Sequence, residues 1–477
     1  MTRNHNDASR RRFLKRSLAA LAGGAGFFAA PQSLSLLNAA WAQGPQCGGD
    51  YKALVCVFLL GGNDGHNLVV PTGAEYAAYA NRRRGLAIAQ QRLQPVAPLS
   101  GANYAIGLHP DLPELKQLFD SGKMAILGSV GALMEPVTKA QYDARTARLP
   151  PQLFSHNDQQ AFWQSLQERS PVDTTPASGW AGRLADVAHA TYNPCATLAM
   201  NLSLAGANPF QVGLGGEALT VDTGDIRAIE ADRDPTVVAE LEAVYAQTHS
   251  NLLVEQYRRS TRAAIDDYAV LHTALAAAQP LPTAFPPPPN EGDRPAVRFA
   301  YALGSQLRRA AQLISVRQAL GHRRQIFFCA LGGFDTHDAQ TADQPELLLG
   351  TSRALAAFHR ATIDLGVEAQ VTTFAASEFG RSMTSNGDGS DHSWGNHLFV
   401  LGGAVRGQRV FGALPNLADG SDDFAGDGNL IPKISVDQYG ATLARWFGVA
   451  DESMLDTCFP NLRHFPPALR DLGFMAA

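Results

Sequence analysis

The sequence predicts an α/β fold with a mainly parallel central sheet sandwiched by helices. Three observations carry this reading: short apolar runs without period-two alternation, amphipathic stretches between them, and polar loops that begin where several of the runs stop. A strand covered on both faces has no reason to alternate apolar and polar residues, and parallel sheets are built from such strands.

In chain order, ALVCVFLL (53–60) reads as the first strand, ELKQLFDSG (114–122) as a helix and KMAILGSV (123–130) as the second strand. NLLVEQYRRSTRAAIDDYAVLHTALAAAQ (251–279) has the length and spacing of a helix. PLPTAFPPPPNEGDRP (280–295) cannot be helical and reads as a surface linker in polyproline conformation. Its flanking helices are expected to form an insertion or cap, about residues 230–297, between two groups of strands. FAYALGSQLRRAAQLISVRQALG (299–321), strand RQIFFCAL (324–331), helix PELLLGTSRALAAFHRATIDLG (345–366), strand QVTTFAAS (370–377) and strand HLFVLGGA (397–404) follow. The chain shows no internal repeat.

The first 42 residues read as an export signal rather than as part of the fold. Arg10 and Arg11 precede Phe13, Leu14 and Lys15, a small-residue apolar stretch follows, and Ala40-Trp41-Ala42 forms an A-x-A cleavage signature. That order is the twin-arginine pattern, which implies passage through the Tat translocase to a periplasmic or secreted location. The apolar stretch, broken by Pro31, is too weak to span a bilayer, so no transmembrane segment is expected in the mature chain, 43–477, which reads as one domain. Removing the signal takes five net positive charges from a chain of net charge −5, leaving −10. With no basic stripe to displace counterions, a nucleic-acid partner is excluded. NRRRG (81–85), the one basic run left, reads as a solvated surface turn. Five cysteines without any C-x-x-C spacing argue against iron–sulfur, haem c or thioredoxin-like chemistry. Cys56 and Cys329 sit in apolar strands; among Cys47, Cys195 and Cys458 an oxidising compartment permits a disulfide, in a pairing left open.

The chemistry concentrates at strand ends. ALVCVFLL runs into GGNDGHN with Asp64, RQIFFCAL into GGFDTH with Asp335 and His337, and QVTTFAAS into EFGR with Glu378 and Arg381. The following loop adds Asp391, His392 and His397. In an open parallel sheet the carboxyl ends share one edge, where ligands bind, so these groups are expected to converge. Carboxylates mixed with imidazoles suit a divalent cation, zinc first, with manganese and calcium as the other candidates. Arg381 has the planar fork that holds a tetrahedral oxyanion. Ser155, in LFSHNDQQAFWQS, stands at a helix start, where it serves either as an N-cap or as a nucleophile at the positive end of the helix dipole. His156 and Asp158 read either as added ligands or as ordinary first-turn polar residues, the second reading being preferred.

The order of twin-arginine signal, LLGGNDGHNLVVP, LHPDLPELKQLFDSGKMAILGSVG, SHNDQQAFW, GGFDTH, SEFGRS and DHSWGNHLFVLGGAVRG resembles the exported bacterial family known as domain of unknown function 1501. That family is similar to the alkaline phosphatase, sulfatase and phosphopentomutase superfamily. The resemblance implies an alkaline-phosphatase-like fold and hydrolysis of small or polymeric phosphate or sulfate esters at a two-metal site. It also implies Asp64 as the first acid, Ser155 as the nucleophile, Asp335 and His337 as a later pair, and His397 as the last histidine. Where the superfamily has an Asp-His pair, this chain has Glu378-Phe379, and Asp391-His392 arrives thirteen residues later. That departure motivates the alternative: a catalytically inactive protein of the same fold that binds metal or an envelope polymer.

Overall fold

The apolar runs become strands with small shifts at their ends. In the computed structural model, which describes residues 49–167, 178–215, 218–224, 235–426 and 428–476, these lie in a compact unit, Cys47–Ala477. The twin-arginine segment, its cleavage site and Cys47 lie outside the described residues. The main sheet has nine strands: β1 (Lys52–Leu59), β2 (Met124–Gly131), β3 (Asn201–Ser203), β4 (Leu219–Thr220), β5 (Arg324–Leu331), β6 (Val371–Ala376), β7 (Asn396–Gly402), β8 (Val410–Gly412) and β9 (Ile434–Ser435). Their order is β8-β2-β7-β6-β1-β5-β3-β4, with β9 beside β2. The pairings are parallel except those of β7, which runs antiparallel to both β2 and β6.

β1 lies at the centre, between β5 and β6, with Cys56 in register with both Phe328 and Phe374. Every residue of β1 after Lys52 is fully buried, which explains why the run shows no alternation. The helices used below are α1 (Gly65–Leu68), α2 (Pro113–Asp120), α3 (His156–Ser165), α4 (Trp180–Tyr192), α5 (Leu252–Ala276), α6 (Pro295–Ser315), α7 (Gln340–Asp364) and α8 (Val436–Phe447). Trp163 of α3, Trp180 of α4 and Tyr439 of α8 pack edge-on or tilted against Phe58 and Phe374 of the sheet. This aromatic layer fixes those helices to one face.

Two expectations shift. The helices flanking the proline-rich segment do not share one role: α5 buries only Leu271, whereas α6 buries ten residues and packs on α7 and β5. The second difference is at α7, which starts at Gln340 and contains Pro345, five residues later than its first residue. Pro345 is the sixth residue of α7, just past the first four N–H groups that have no intrahelical acceptor, so the helix forgoes one backbone bond there, the one position 345 would have donated to Thr341 O. Cys195 is disulfide-bonded, while Cys56, Cys329 and Cys458 are buried free thiols, which removes Cys458 from the disulfide candidates.

Candidate metal centre

The loops leaving β1, β5 and β6 meet at the carboxyl edge of the sheet, and glycine lets them approach. Gly61 has φ +116°, and a Cβ there would lie 2.4 Å from the Asp335 backbone nitrogen; at Gly62, φ +83°, it would lie 2.5 Å from the Phe379 ring. The Gly-Gly pair after β1 is thus a requirement of loop contact. A hairpin of Gly380–Ser385 and Ser390–Ser393 then carries Arg381 and His392 as cross-strand partners.

Both partners reach Asp335. Arg381 is fully buried: its Nη2 bonds Asp335 Oδ1, Gly61 O and, at 3.1 Å, Phe334 O; its Nε bonds Gly62 O at 3.0 Å and its Nη1 bonds Ser390 O at 2.9 Å. One guanidinium thereby ties three loops together. With its side chain wholly buried, it meets solvent-borne anions only through Asp335, so the expected oxyanion fork becomes a clamp on the carboxylate. Burial alone would raise the Asp335 carboxyl, but the Arg381 bond and charge, with His156 and His392, hold it at about 2.

Three imidazoles converge on Asp335 Oδ1. His156 Nε2 lies 3.3 Å from it, His337 Nε2 3.2 Å and His392 Nε2 3.3 Å, with 2.9 Å between the Nε2 atoms of His337 and His392. The opposite nitrogen of each ring is held elsewhere. His156 Nδ1 donates to Glu378 Oε1 at 2.9 Å, His337 Nδ1 faces Asp391 Oδ1 at 3.2 Å, and His392 Nδ1 donates to the Phe154 carbonyl at 2.6 Å. The Glu378 bond raises the His156 pKa, against burial, whereas burial lowers that of His392. His156 Nε2 is buried without any hydrogen bond.

The predicted residues therefore divide. Asp335, His337 and His392 come together, with Glu378 and Asp391 behind His156 and His337. Glu378 is fully buried and also takes Gly61 N and Gln160 Nε2 on the same oxygen, each at 2.9 Å. Asp64 and His397 are not brought to this point. Asp64 caps α1, accepting from His66 N at 3.0 Å, and is closed off by an ion pair with buried Arg83 and a bond from Gln340. The middle arginine of NRRRG is thus an interior counter-ion, a correction to its reading as a solvated turn. His397 accepts from Ser129 N at 3.0 Å and stacks edge-on to His66 at 5.4 Å, and burial holds both rings near pKa 3.

Ser155 caps α3, but weakly: its Oγ accepts from Asp158 N at 3.5 Å and donates to Asp158 Oδ2 at 2.5 Å. It stands between Phe154 and His156, both of which touch the cluster. His156 is the residue for which the sequence favoured the ordinary first-turn reading over that of an added ligand. His156 and Gln160 share one face of α3 at i, i+4 spacing and both grip Glu378, a pattern visible in HNDQQ once a buried acid is sought.

Fold and site together define an α/β protein with a histidine-rich cluster at the carboxyl edge of its sheet. The chain belongs to the family described as "Protein of unknown function (DUF1501)", matched over residues 51–454. No curated protein matches it. Among solved structures it is similar to PsFucS1 sulfatase from Pseudoalteromonas sp., at 10% identity and TM-score 0.35, over 89% of this chain and 73% of that one. It is also similar to lipoteichoic acid synthase LtaP from Listeria monocytogenes, at 8% and 0.33, over 87% and 78%. A mutant of alkaline phosphatase PafA gives 10% and 0.24, over 70% and 64%. At such identities and TM-scores, no side chain here is matched to one of theirs.

Proposed function

We propose that the protein is a metal-dependent hydrolase of sulfate or phosphate esters, with His156, Asp335, His337 and His392 holding one divalent cation. The observation that supports this most is the set of three rings whose Nδ1 atoms are anchored and whose Nε2 atoms all face Asp335 Oδ1. A ring that donates through Nδ1 presents a lone pair at Nε2. Lone pairs 2.9 Å from each other and 3.2–3.3 Å from an ionised carboxylate repel unless a cation lies between them. His156, Asp335 and His392 offer ligand atoms that all lie within 4.8 Å of one another, as ligands of one ion must, and His337 Nε2 adjoins two of them, at 3.2 Å from Asp335 Oδ1 and 2.9 Å from His392 Nε2. Three imidazoles and a carboxylate suit zinc, then manganese; calcium, which takes six to eight oxygens, fits this donor set poorly.

A bound cation supplies Lewis-acid polarisation of an ester oxygen. The chain's own residues divide the remaining work. Glu378 and Asp391 fix the rings of His156 and His337, and Arg381 keeps Asp335 ionised and aimed. Ser155 is the candidate nucleophile, because its hydroxyl already donates to a carboxylate, Asp158, that can take the proton as the oxygen attacks phosphorus or sulfur; the ester P–O or S–O bond breaks, the proton passes from Asp158 to the leaving alkoxide, and water then hydrolyses the seryl ester to release phosphate or sulfate. Its substrate is a small or polymeric anionic ester, met outside the cytoplasm after twin-arginine export. No helix among the described residues is long and apolar enough to cross a membrane.

The second reading, a metal-binding protein without turnover, draws on Arg381. Buried on backbone carbonyls and Asp335, it holds no anion. An aryl phosphate, a phosphodiester and an aryl sulfate, each assayed with zinc, manganese and calcium, separate the two. Turnover with any pair, lost in His156→Ala, supports the hydrolase; none, from protein that contains metal, supports the binder.

A further inference from the structure

A pocket of 480 Å3 lies between α6 and the proline-rich segment, and none of its lining residues belongs to the loops that carry the candidate metal ligands. That size is within the range of small-molecule sites. One stripe of α6 forms the floor: Tyr301, Ser305, Arg308 and Gln312 fall at i, i+4, i+7 and i+11, which puts them on a single face of the helix. The facing wall comes from residues 280–288. It is held at several points. Leu281 and Phe285 pack against the main core, the Thr283 hydroxyl donates to Asp364 Oδ2 at 2.5 Å, and the Pro286 ring rests on Gly304, where a Cβ would lie 3.0 Å from the proline Cδ. Each proline also fixes its own φ, so the wall has little freedom left to lose when a ligand enters.

The groups this pocket offers are selective. Arg308 is the one charged residue of the lining among the described residues; it is exposed and makes no hydrogen bond or ion pair there. Its neighbour Arg309 is by contrast buried and committed to backbone, bonding Asp222 O at 3.0 Å and Gly224 O. The Tyr301 hydroxyl, likewise without a partner among the described residues, adds a second donor on the same helix face. A guanidinium fork recognises a carboxylate through two parallel N–H···O bonds. Beside it the Phe285 and Tyr301 rings and the prolines present flat apolar surface.

We infer that this pocket binds a small carboxylate with a planar apolar body. The carboxylate pairs with Arg308 and accepts from the Tyr301 hydroxyl, and the apolar body lies between the proline-rich wall and the α6 stripe. An ammonium in its place would meet Arg308 and no carboxylate among the described lining residues. The inference depends neither on the histidine cluster nor on ester hydrolysis.

The test is calorimetric titration of the purified protein with three probes of like shape: 3-phenylpropionate, 2-phenylethanol and 2-phenylethylammonium. Affinity should fall in that order, the alcohol at least about tenfold below the carboxylate. Arg308→Gln should bring the carboxylate down to the level of the alcohol, because only the carboxylate uses the charge. Ser305→Trp, which fills the floor of the pocket, should abolish binding while the melting temperature stays near wild type. Arg308 is exposed, so its variant keeps the test valid if Ser305→Trp fails to fold. No saturable binding of 3-phenylpropionate, equal affinity for the ammonium, or undiminished carboxylate binding in Arg308→Gln or in folded Ser305→Trp would overturn the inference.

Discussion

Glu378 places three donors on one carboxylate oxygen and leaves the other buried without a partner. Its task is to hold the His156 ring, and that sets the size of its effect. Glu378→Ala should weaken metal binding by about 10–100-fold, the usual cost of losing the partner behind a ligand histidine. Glu378→Gln should cost less, because an amide oxygen still accepts from Nδ1; competition with a chelator reads both, and equal losses would show that Glu378 acts otherwise. Ser155 makes the complementary case. As a cap it needs only an acceptor oxygen, so Ser155→Asp should keep stability and Ser155→Ala should lose on the order of 1 kcal/mol. As a nucleophile it is irreplaceable: Ser155→Ala should abolish ester turnover with metal content intact. Near-normal turnover by that variant would remove the covalent mechanism. His156 was hidden in the sequence because the first turn of a helix is where polar residues ordinarily collect, and only the buried Glu378 reveals its second duty.

Between residues and fold stand the loops and the hairpin that aim the candidate ligands. Gly61 must stay glycine, since its φ of +116° and the Asp335 nitrogen 2.4 Å from any Cβ exclude a side chain. Gly61→Ala should lower the melting temperature and the metal content together, whereas Gly122→Ala, where nothing lies within 4 Å, should lower only the former, through its φ of +72°. Equal metal loss in both would detach the loop contact from the site. The strands of six to eight residues were legible because each is a continuous apolar run, and their ends named Asp335, Glu378 and Arg381. The two- and three-residue strands β3, β4, β8 and β9 carry too few positions to show any pattern. Nor could the reversed direction of β7 be read, because burial on both faces looks alike whichever way a strand runs.

Across the whole molecule the sequence placed the loops that carry Asp335, Glu378 and Arg381 on one edge but could not tell which acids face solvent and which are enclosed. Asp64 resembles Asp335 in its Gly-Gly-x-Asp setting; the difference is Arg83, nineteen residues away, folded back as its counter-ion. Asp437, wholly interior, tests the global balance. Burial pushes its carboxyl up to about 7, despite the Asn461 bonds and Arg183. A folded pKa above the unfolded value means the native state binds the extra proton, so stability should fall as pH rises from about 4 to about 7. Asp437→Asn should remove that slope, its stability relative to wild type gaining on the order of 3 kcal/mol between pH 4 and pH 8; parallel melting curves at all pH values would refute it. Export should fail when Arg10 and Arg11 are both lysine, because the signal is read through guanidinium; periplasmic accumulation of that variant would remove the localisation. The centre itself is tested most directly by mass-spectrometric metal analysis of the purified protein beside His156→Ala and His392→Ala. One equivalent of zinc or manganese per chain, lost in both variants, is the expected result; no bound metal, two equivalents, or a full equivalent retained without His156 would contradict a single centre built on His156, Asp335, His337 and His392.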